Sequence, residues 1–215
     1  MAAAVQALQR NVDGGVYLPG DRRYDRARQP WNRMIDPEPA VVVEAASQQD
    51  IRAAILVARD HALPFAVQAT GHGTVAPSDG GGTGWLSRKY GFAADSLLRA
   101  EVVTAGGETL TASATEHADL FWALRGGGGN FGVVTRLEFR LYPVVQVHAG
   151  MSWYPVDRAP DVLARYRDWA GTEPDELNSA VALQQVPAVP AVPEPLRGAR
   201  VLACQRVLPR ADGGC

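Results

Sequence analysis

Two glycine-rich segments constrain this 215-residue chain more than any other feature. The first runs from Ala66 to Gly91 (AVQATGHGTVAPSDGGGTGWLSRKYG), and the second, GGGGNFG, runs from Gly126 to Gly132. Glycine has no Cβ, so it accepts positive φ angles and lets backbone N–H groups approach an anion or a flat ring. The two segments together therefore predict a nucleotide-binding site. Two flexible surface loops are the alternative.

Strand and helix patterns alternate before the first glycine segment. The run AVVVEA predicts a short strand, and Ser47 with Asp50 three residues later predicts the capped start of a helix. The run LPFAVQA (Leu63–Ala69) predicts a second strand, which leads directly into the glycines. This order is typical of a βαβ-like unit.

The second glycine segment also lies between two predicted elements. Gly106 and Gly107 predict the turn of a hairpin, because paired glycines accept the positive φ angles that such turns need. The following helix ends at the glycines, and VVTRLEFRLYPV predicts a strand that stops at Pro143. The predicted apolar face of that helix consists of Leu120, Trp122, Ala123 and Leu124.

Three common nucleotide-binding or hydrolase motifs are disfavoured. Gly127, Gly129 and Gly132 match G-x-G-x-x-G, but a Rossmann site has a strand before the glycines and a helix after them, and here the predicted order is reversed. The sequence contains neither the phosphate-loop motif G-x-x-x-x-G-K-[ST] nor the hydrolase motif G-x-S-x-G.

Four ordered segments, covering roughly residues 30 to 150, resemble one known family. They are FAVQATGHG, GGGTGWLSRKYGFAADSLL, EVVTAGGETLTAS and HADLFWALRGGGGNFGVVTRLEFRLYPV. They resemble the FAD-binding domain of the p-cresol methylhydroxylase (PCMH) type, in the berberine bridge enzyme-like branch of the vanillyl-alcohol oxidase superfamily. The resemblance implies an α+β fold, with a PCMH-type FAD-binding domain and an incomplete second α/β substrate domain. The implied activity is hydride transfer from a small organic substrate to flavin N5, with O2 as acceptor.

The resemblance also implies which residues contact FAD. In the family, a histidine in the first loop bonds covalently to the flavin 8α-methyl carbon, and that histidine is His72 here. A histidine pKa of about 6.5 leaves neutral imidazole abundant at neutral pH, as this bond requires. A surface histidine without this role is the alternative, and His61, His117 and His148 are interpreted as structural. The expected cofactor contacts are Ala69, Thr70, Gly71, His72, Gly73, Gly80, Gly81, Gly82, Thr83, Gly84, Asn130, Phe131, Gly132, Val133 and Val134.

Two differences from the family limit the expected activity. Family members have a long segment between the two loops, whereas this chain passes directly from Asp79 to Gly80. The C-terminal region begins the family's substrate domain but lacks most of its sheet and the late Tyr or Glu that serves as catalytic base, so the catalytic residues are unknown. Two hypotheses stay open: an FAD-dependent oxidoreductase, or a catalytically inert remnant that binds FAD weakly or not at all.

The sequence divides into three expected regions. These are an N-terminal helix with an irregular segment (1–30), the FAD-binding domain (31–145) and the truncated substrate domain (146–215). The last region predicts an amphipathic helix, a semi-rigid connector VPAVPAVPEPL, and no closing element in RVLPRADGGC. The face of the helix carries Val162, Tyr166, Trp169 and Ala170.

Charge and cysteine content restrict the expected partners. The formal net charge of -2 gives no reason to expect a nucleic acid or an anionic membrane, so FAD and a small-molecule substrate are the expected partners. Cys204 and Cys215 are expected to be free thiols, and no metal site is indicated. Without a recognisable signal peptide or membrane-spanning run, the sequence predicts a cytoplasmic protein.

Overall fold

The computed structural model describes residues 1–31, 33–69 and 84–210. These residues divide into two compact units. The first unit contains the described residues up to 69 together with Leu97–Arg140, and the second contains 84–96 together with 141–210. The second unit is therefore built from two separate stretches of the chain.

The described residues form short helices and antiparallel sheets. The α-helices are α1 (Ala2–Asn11), α2 (Tyr24–Arg28), α3 (Gln48–Asp60), α4 (Ser87–Tyr90), α5 (Ala118–Leu124) and α6 (Ala159–Ala170). The strands are β1 (Gly15–Tyr17), β2 (Val42–Glu44), β3 (Leu97–Val103), β4 (Thr109–Ser113), β5 (Val133–Phe139), β6 (Gln146–Pro155), β7 (Asn178–Gln185) and β8 (Arg200–Arg210). All the strand pairs of the described residues are antiparallel. The expected α+β class is confirmed.

Helices α1 and α3 form one core of the first unit. Ala4 and Leu8 of α1 cluster with Ala54 and Val57 of α3, and all four residues are buried. The spacing of three or four residues on each helix places these side chains on one face. The predicted helix after Ser47 is therefore confirmed.

Asp50 connects the start of α3 to the N-terminal segment. Its carboxylate accepts backbone N–H hydrogen bonds from Asp13 (3.0 Å), Gly14 (2.9 Å) and Ala46 (2.8 Å). Its own N–H donates to the Ser47 hydroxyl at 3.3 Å, which confirms the predicted N-cap. The backbone N–H groups of Asp13 and Ala46 hold the pKa of this carboxyl below its usual value, although burial acts in the opposite direction.

A three-stranded sheet with the order β4-β3-β5 forms the second core of this unit. Gly107 in the β3–β4 turn has φ +79°, and a Cβ there would lie 2.7 Å from Leu56 Cδ2. The hairpin predicted from the paired glycines is confirmed. Leu97, Ala112 and Phe121 form a buried cluster between this sheet and α5.

Helix α5 precedes the second glycine segment and β5 follows it. That order, in an antiparallel sheet, confirms that the glycines are not a Rossmann motif. The predicted face of α5 is wrong at Trp122, which is 74% exposed, whereas Phe121 is 6% exposed. Successive residues of a helix lie about 100° apart, so burial of Phe121 turns Trp122 away from the core.

The strand predicted over Leu63–Ala69 does not form. Its backbone is irregular, and Phe65 and Val67 are 48% and 60% exposed. A strand needs a neighbour that takes up its N–H and C=O groups, and Pro64 has no N–H to donate. None of the described strands pairs with this segment, so within the described residues it has no ladder to join.

The second unit contains a sheet with the order β6-β8-β7, in which β8 is central. Helix α6 contacts this sheet through the Tyr166 hydroxyl, 2.9 Å from Ser179 Oγ, and through Trp169, whose ring lies beneath the guanidinium of Arg206. The predicted helix and the shared face of Tyr166 and Trp169 are confirmed.

The C-terminal prediction needs a correction. Residues up to Arg210 form the end of β8, where no closing element was expected, and residues 211–215 lie outside the described part. The connector VPAVPAVPEPL, residues 186–196, lies between β7 and β8. The sequence of the connector gave no sign that β7 and β8 on either side of it pair, because that pairing joins residues distant in sequence. In the described ranges, no helix is long and apolar enough to cross a bilayer.

Candidate functional site

The predicted cofactor contacts divide into described and undescribed residues. Thr70, Gly71, His72 and Gly73 lie outside the described residues, and so do 80–83 and the junction before Gly80. The structure describes Ala69, Gly84 and Asn130–Val134. Of these, it brings together the contiguous residues Asn130–Val134, where α5 gives way to β5.

The second glycine segment is ordered by its own hydrogen bonds. The N–H of Gly127 donates to the Ala123 carbonyl at 2.8 Å, which ties the start of the segment to the end of α5. The Asn130 side chain donates from Nδ2 to the Gly127 carbonyl at 2.8 Å. A Cβ at Gly126, Gly128 or Gly129 would meet nothing within 4 Å. The backbone on this side of the turn is therefore open to a ligand.

Gly132 sets how the chain enters β5. It has φ +137°, and a Cβ there would lie 2.6 Å from the Val103 carbonyl oxygen and 2.7 Å from Val102 Cγ1. Only glycine fits this close approach of backbone to β3. The residues on either side are accessible, since Phe131 and Val134 are each 39% exposed. The segment thus presents backbone and apolar surface next to each other.

Gly84 is positioned by the start of α4. Its N–H donates to Ser87 Oγ at 2.7 Å, and its carbonyl accepts from the Ser87 N–H at 3.1 Å. These two hydrogen bonds close a tight turn before the helix. Ala69, the other described residue of the first glycine segment, is exposed.

His117 has a local structural role, as its sequence position predicted. It precedes α5 in the left-handed region, with φ 46° and ψ 52°. Its Nδ1 lies 2.8 Å from the Thr111 carbonyl. A carbonyl only accepts hydrogen bonds, so Nδ1 carries the proton. This bond fixes the ring on the β4 side of the turn.

Sequence reasoning missed a buried polar network in the second unit. The guanidinium of Arg88 donates to Glu173 Oε2 at 3.1 Å and to the Glu173 carbonyl at 3.0 Å. The Ser179 hydroxyl donates to the same Oε2 at 2.9 Å and lies 2.9 Å from the Tyr166 hydroxyl. Arg88 and Glu173 lie far apart in sequence, and no local pattern links them. The only signal was a charged pair, Arg88-Lys89, directly after the glycines.

Two further features carry no assigned chemistry. Cys204 is a free thiol whose pKa is raised by burial, with Arg206 acting in the opposite direction. A thiol with a raised pKa is a weak nucleophile at neutral pH. A hollow of about 450 Å³ between α1 and α3 contains none of the predicted site residues. Among the described residues, no group of three or more His, Cys, Asp or Glu side chains could hold a metal ion.

Comparison with known proteins places these features in context. No family model matches the chain. The FAD-linked oxidoreductase pgmH of Aspergillus terreus is 40% identical over 118 residues, which cover 50% of this chain and 24% of that protein. The chain thus spans about a quarter of that relative's length.

Solved structures match over nearly the whole chain. The BBE-like 1 protein of Physcomitrella patens matches with a TM-score of 0.80 at 19% identity, over 95% of this chain and 56% of that one. The xylooligosaccharide oxidase of Myceliophthora thermophila matches with a TM-score of 0.77 at 21% identity, over 99% of this chain and 56% of that one. The chain spans about half the length of these structures. The family resemblance and the PCMH-type fold inferred from the sequence are confirmed.

Proposed function

We propose that this chain, a relative of the FAD-linked oxidoreductases with the fold of the berberine bridge enzyme-like oxidases, binds FAD and oxidises a small organic molecule. The observation that carries the proposal is the open backbone at Gly126, Gly128 and Gly129. It lies at the junction of α5 and β5, in a fold whose solved neighbours include oxidases of this type.

The described residues fit a dinucleotide. A pyrophosphate and a flat ring system each need protein backbone that can approach closely. The backbone of Gly128 and Gly129 has open space beside it for such a ligand. Phe131 and Val134 offer accessible apolar surface beside it. The proposed contacts are Ala69, Gly84 and Asn130–Val134 in the described part, together with residues 70–73 and 80–83 outside it.

The chemistry of oxidation comes from the cofactor, and this chain supplies binding and orientation. FAD, when bound, accepts a hydride at N5 from the substrate and passes the electrons to O2. His72 would hold the flavin covalently, with one ring nitrogen bonded to the 8α carbon. No described side chain is assigned as the catalytic base.

A flavin test on the purified full chain decides the cofactor part of the proposal. After incubation with FAD and removal of free cofactor, we expect a yellow protein with a flavin absorbance band. On a denaturing gel, we expect flavin fluorescence that migrates with the polypeptide and disappears in His72→Ala. Fluorescence that persists in His72→Ala would show that His72 is not the covalent ligand.

A second candidate function is favoured by one observation. Pro64–Ala69, which leads into the first glycine segment, is exposed and pairs with no described strand. Without a strand partner for this segment, the first glycine segment would be poorly held. The chain would then be a folded remnant that binds FAD weakly and does not turn over substrate. Colourless protein after incubation with excess FAD supports this candidate.

Turnover separates the two candidates further. We expect slow oxidation at most, because catalysis needs a fixed flavin and a positioned base, and orientation alone accounts for about 7 kcal/mol or more of barrier reduction. The measurement is anaerobic flavin bleaching and peroxide release with a panel of alcohols, oligosaccharides and benzylisoquinoline-like amines. Bleaching at about 10 s⁻¹, a median enzyme rate, would contradict the expected slow rate and favour the oxidoreductase. No bleaching with any of these substrates would favour the remnant.

A further inference from the structure

The outer edge of strand β6, in the second unit, has no neighbour among the described residues. In the sheet order β6-β8-β7, β6 pairs with β8 on one side only. All ten residues of β6 pair with β8 in one continuous antiparallel register, without the register shifts found between β3 and β5. Successive residues of an antiparallel strand direct their backbone N–H and C=O groups alternately to its two sides. Half of these groups in β6 therefore point away from β8.

β6 lacks the features that normally keep an edge strand from pairing with another chain. Such features are charged side chains, a proline within the strand, a bulge or a covering element. Between Gln146 and Pro155 the sequence contains no Asp, Glu, Lys or Arg, and its one proline is the last residue. Every residue of β6 except Ser152 is exposed. The strand is therefore accessible to a further strand.

Exposed side chains of β6 add apolar surface to one face of the sheet. Helix α6 contacts the opposite face through Ser179 and Arg206, and both residues are in register with Gly150. Side chains alternate between the two faces along a strand, so Met151 and Trp153 lie on the face away from α6. Their side chains are 42% and 39% exposed. A strand added beside β6 would cover part of this apolar surface.

Strand β7, at the other edge of this sheet, is less accessible. It has eight residues, and the first four, Asn178–Val181, are half-buried. The Ser179 hydroxyl among them is already bonded to Glu173 and lies next to the Tyr166 hydroxyl. Of the two edges of this sheet, β6 is therefore the one that is open to a partner.

We propose that β6 pairs with β6 of a second copy of this chain, antiparallel about a two-fold axis. The free edge needs a partner that is itself an extended strand, because a strand presents N–H and C=O groups at the matching spacing. A second β6 has that spacing and the same length, and it brings no like charges opposite each other. An acidic or basic strand finds no complementary charge within β6. The product is one sheet with the order β7-β8-β6-β6-β8-β7.

The symmetry of this pairing places Met151 at its centre. The midpoint of β6 falls between Gly150 and Met151. Opposing residues of an antiparallel pair lie on the same face, so the two-fold axis passes through one of these two residues rather than between them. Met151 then lies either directly opposite Met151 of the second copy or diagonally across from it. Both positions are within reach of long side chains.

The first test measures the mass of the full chain in solution. Sedimentation equilibrium at about 100 μM detects any dimer with a dissociation constant below about 10 μM. We expect a species of twice the chain's 23.0 kDa, in equilibrium with the monomer. A monomer at this concentration would overturn the inference. The proposed function would stand, because this inference does not depend on FAD binding.

Substitutions at the two edges of the sheet locate the interface. Met151→Lys brings two positive charges together at the axis, so the dimer dissociation constant should rise about tenfold or more. Leu183→Lys is the matched control, since it adds the same charge at a 64% exposed apolar residue of β7. It should change the dissociation constant by about twofold or less. A dimer that Met151→Lys leaves intact, or that Leu183→Lys weakens equally, would contradict pairing through β6.

A charge swap identifies the partner strand as a second β6. Met151→Glu alone should weaken the dimer as Met151→Lys does. An equimolar mixture of the two variants should associate about tenfold more tightly than either alone, because opposite charges then meet at the axis. Equal association of the mixture and the separate variants would overturn the inference. Circular dichroism checks that each variant is folded, and if Met151→Lys is not, Ala149→Lys and Ala149→Glu on the same face replace the pair with the same expectation.

Discussion

Two segments beside the candidate site share a strand-like sequence pattern but fold differently. VVTRLEF forms β5 along β3, with Val133 opposite Val103 and Val134 opposite Val102. LPFAVQA is irregular, it is exposed after Leu63, and no described strand pairs with it. Both segments are rich in apolar residues. A partner strand, rather than local propensity, therefore decides which of the two segments beside the candidate site becomes a strand.

The largest loss of stability is expected from a substitution at Gly132, where the chain enters the paired strand β5. Gly132→Ala places a methyl group against the Val103 carbonyl oxygen, which is held in a strand and cannot move aside. The positive φ adds backbone strain. We expect a loss of about 3 kcal/mol in the free energy of unfolding, measured by urea denaturation.

Gly129→Ala is the matched control for that change. A methyl group there meets nothing within 4 Å, so the free energy of unfolding should change by about 0.5 kcal/mol or less. Equal losses in the two variants would mean that the entry to β5 does not depend on the close approach at Gly132.

A smaller effect is expected where β3 turns into β4. Gly107→Ala introduces strain at φ +79° and a contact with Leu56 Cδ2, but that side chain can shift. We expect a loss of about 2 kcal/mol by urea denaturation. Gly106→Ala, whose Cβ would meet only Thr104 Oγ1 at 3.6 Å, should be close to neutral. A neutral Gly107→Ala would show that the hairpin does not need its glycine.

Features that depend on neighbouring residues were predicted from the sequence, whereas contacts between residues far apart in the chain were not. The Ser47 cap and the turn at Gly107 each depend on neighbouring residues, so the sequence shows them directly. The failure at Leu63–Ala69 and the buried contact between Arg88 and Glu173 depend on residues far away in the chain. Reading a single sequence reveals the propensity of a segment but not whether a partner exists.

The same distinction applies to the candidate site. The open backbone of the second glycine segment follows from composition, and the structure describes it. The role of His72 came from family resemblance, lies outside the described residues and stays a prediction. The positioning of Gly84 through α4 was not predictable, because the sequence gives no sign that 84–96 belongs with 141–210.

A third effect tests the helix that precedes the unpaired segment. The Asp50 pKa is lowered in the folded state by the N–H groups of Asp13 and Ala46. Its contribution is therefore fully present above the unfolded pKa of about 3.9 and is lost as pH falls through the lower folded value. We expect Asp50→Asn to melt below the unmodified chain at pH 7, with the difference shrinking below about pH 4. A constant difference across that range would contradict the assignment.

The smallest change in the free energy of unfolding is expected in the unpaired segment. It tests directly whether that segment differs from a paired strand. Val67 is 60% exposed, while Val102 in β3 is fully buried, and threonine has nearly the shape of valine. Val102→Thr buries a hydroxyl and should lower the free energy of unfolding by about 1–3 kcal/mol. Val67→Thr leaves its hydroxyl in water and should change it by about 0.5 kcal/mol or less. If both changes cost the same by urea denaturation, Leu63–Ala69 is packed in solution as a strand would be. The segment that leads to His72 would then be held by a neighbour, as β5 is held by β3.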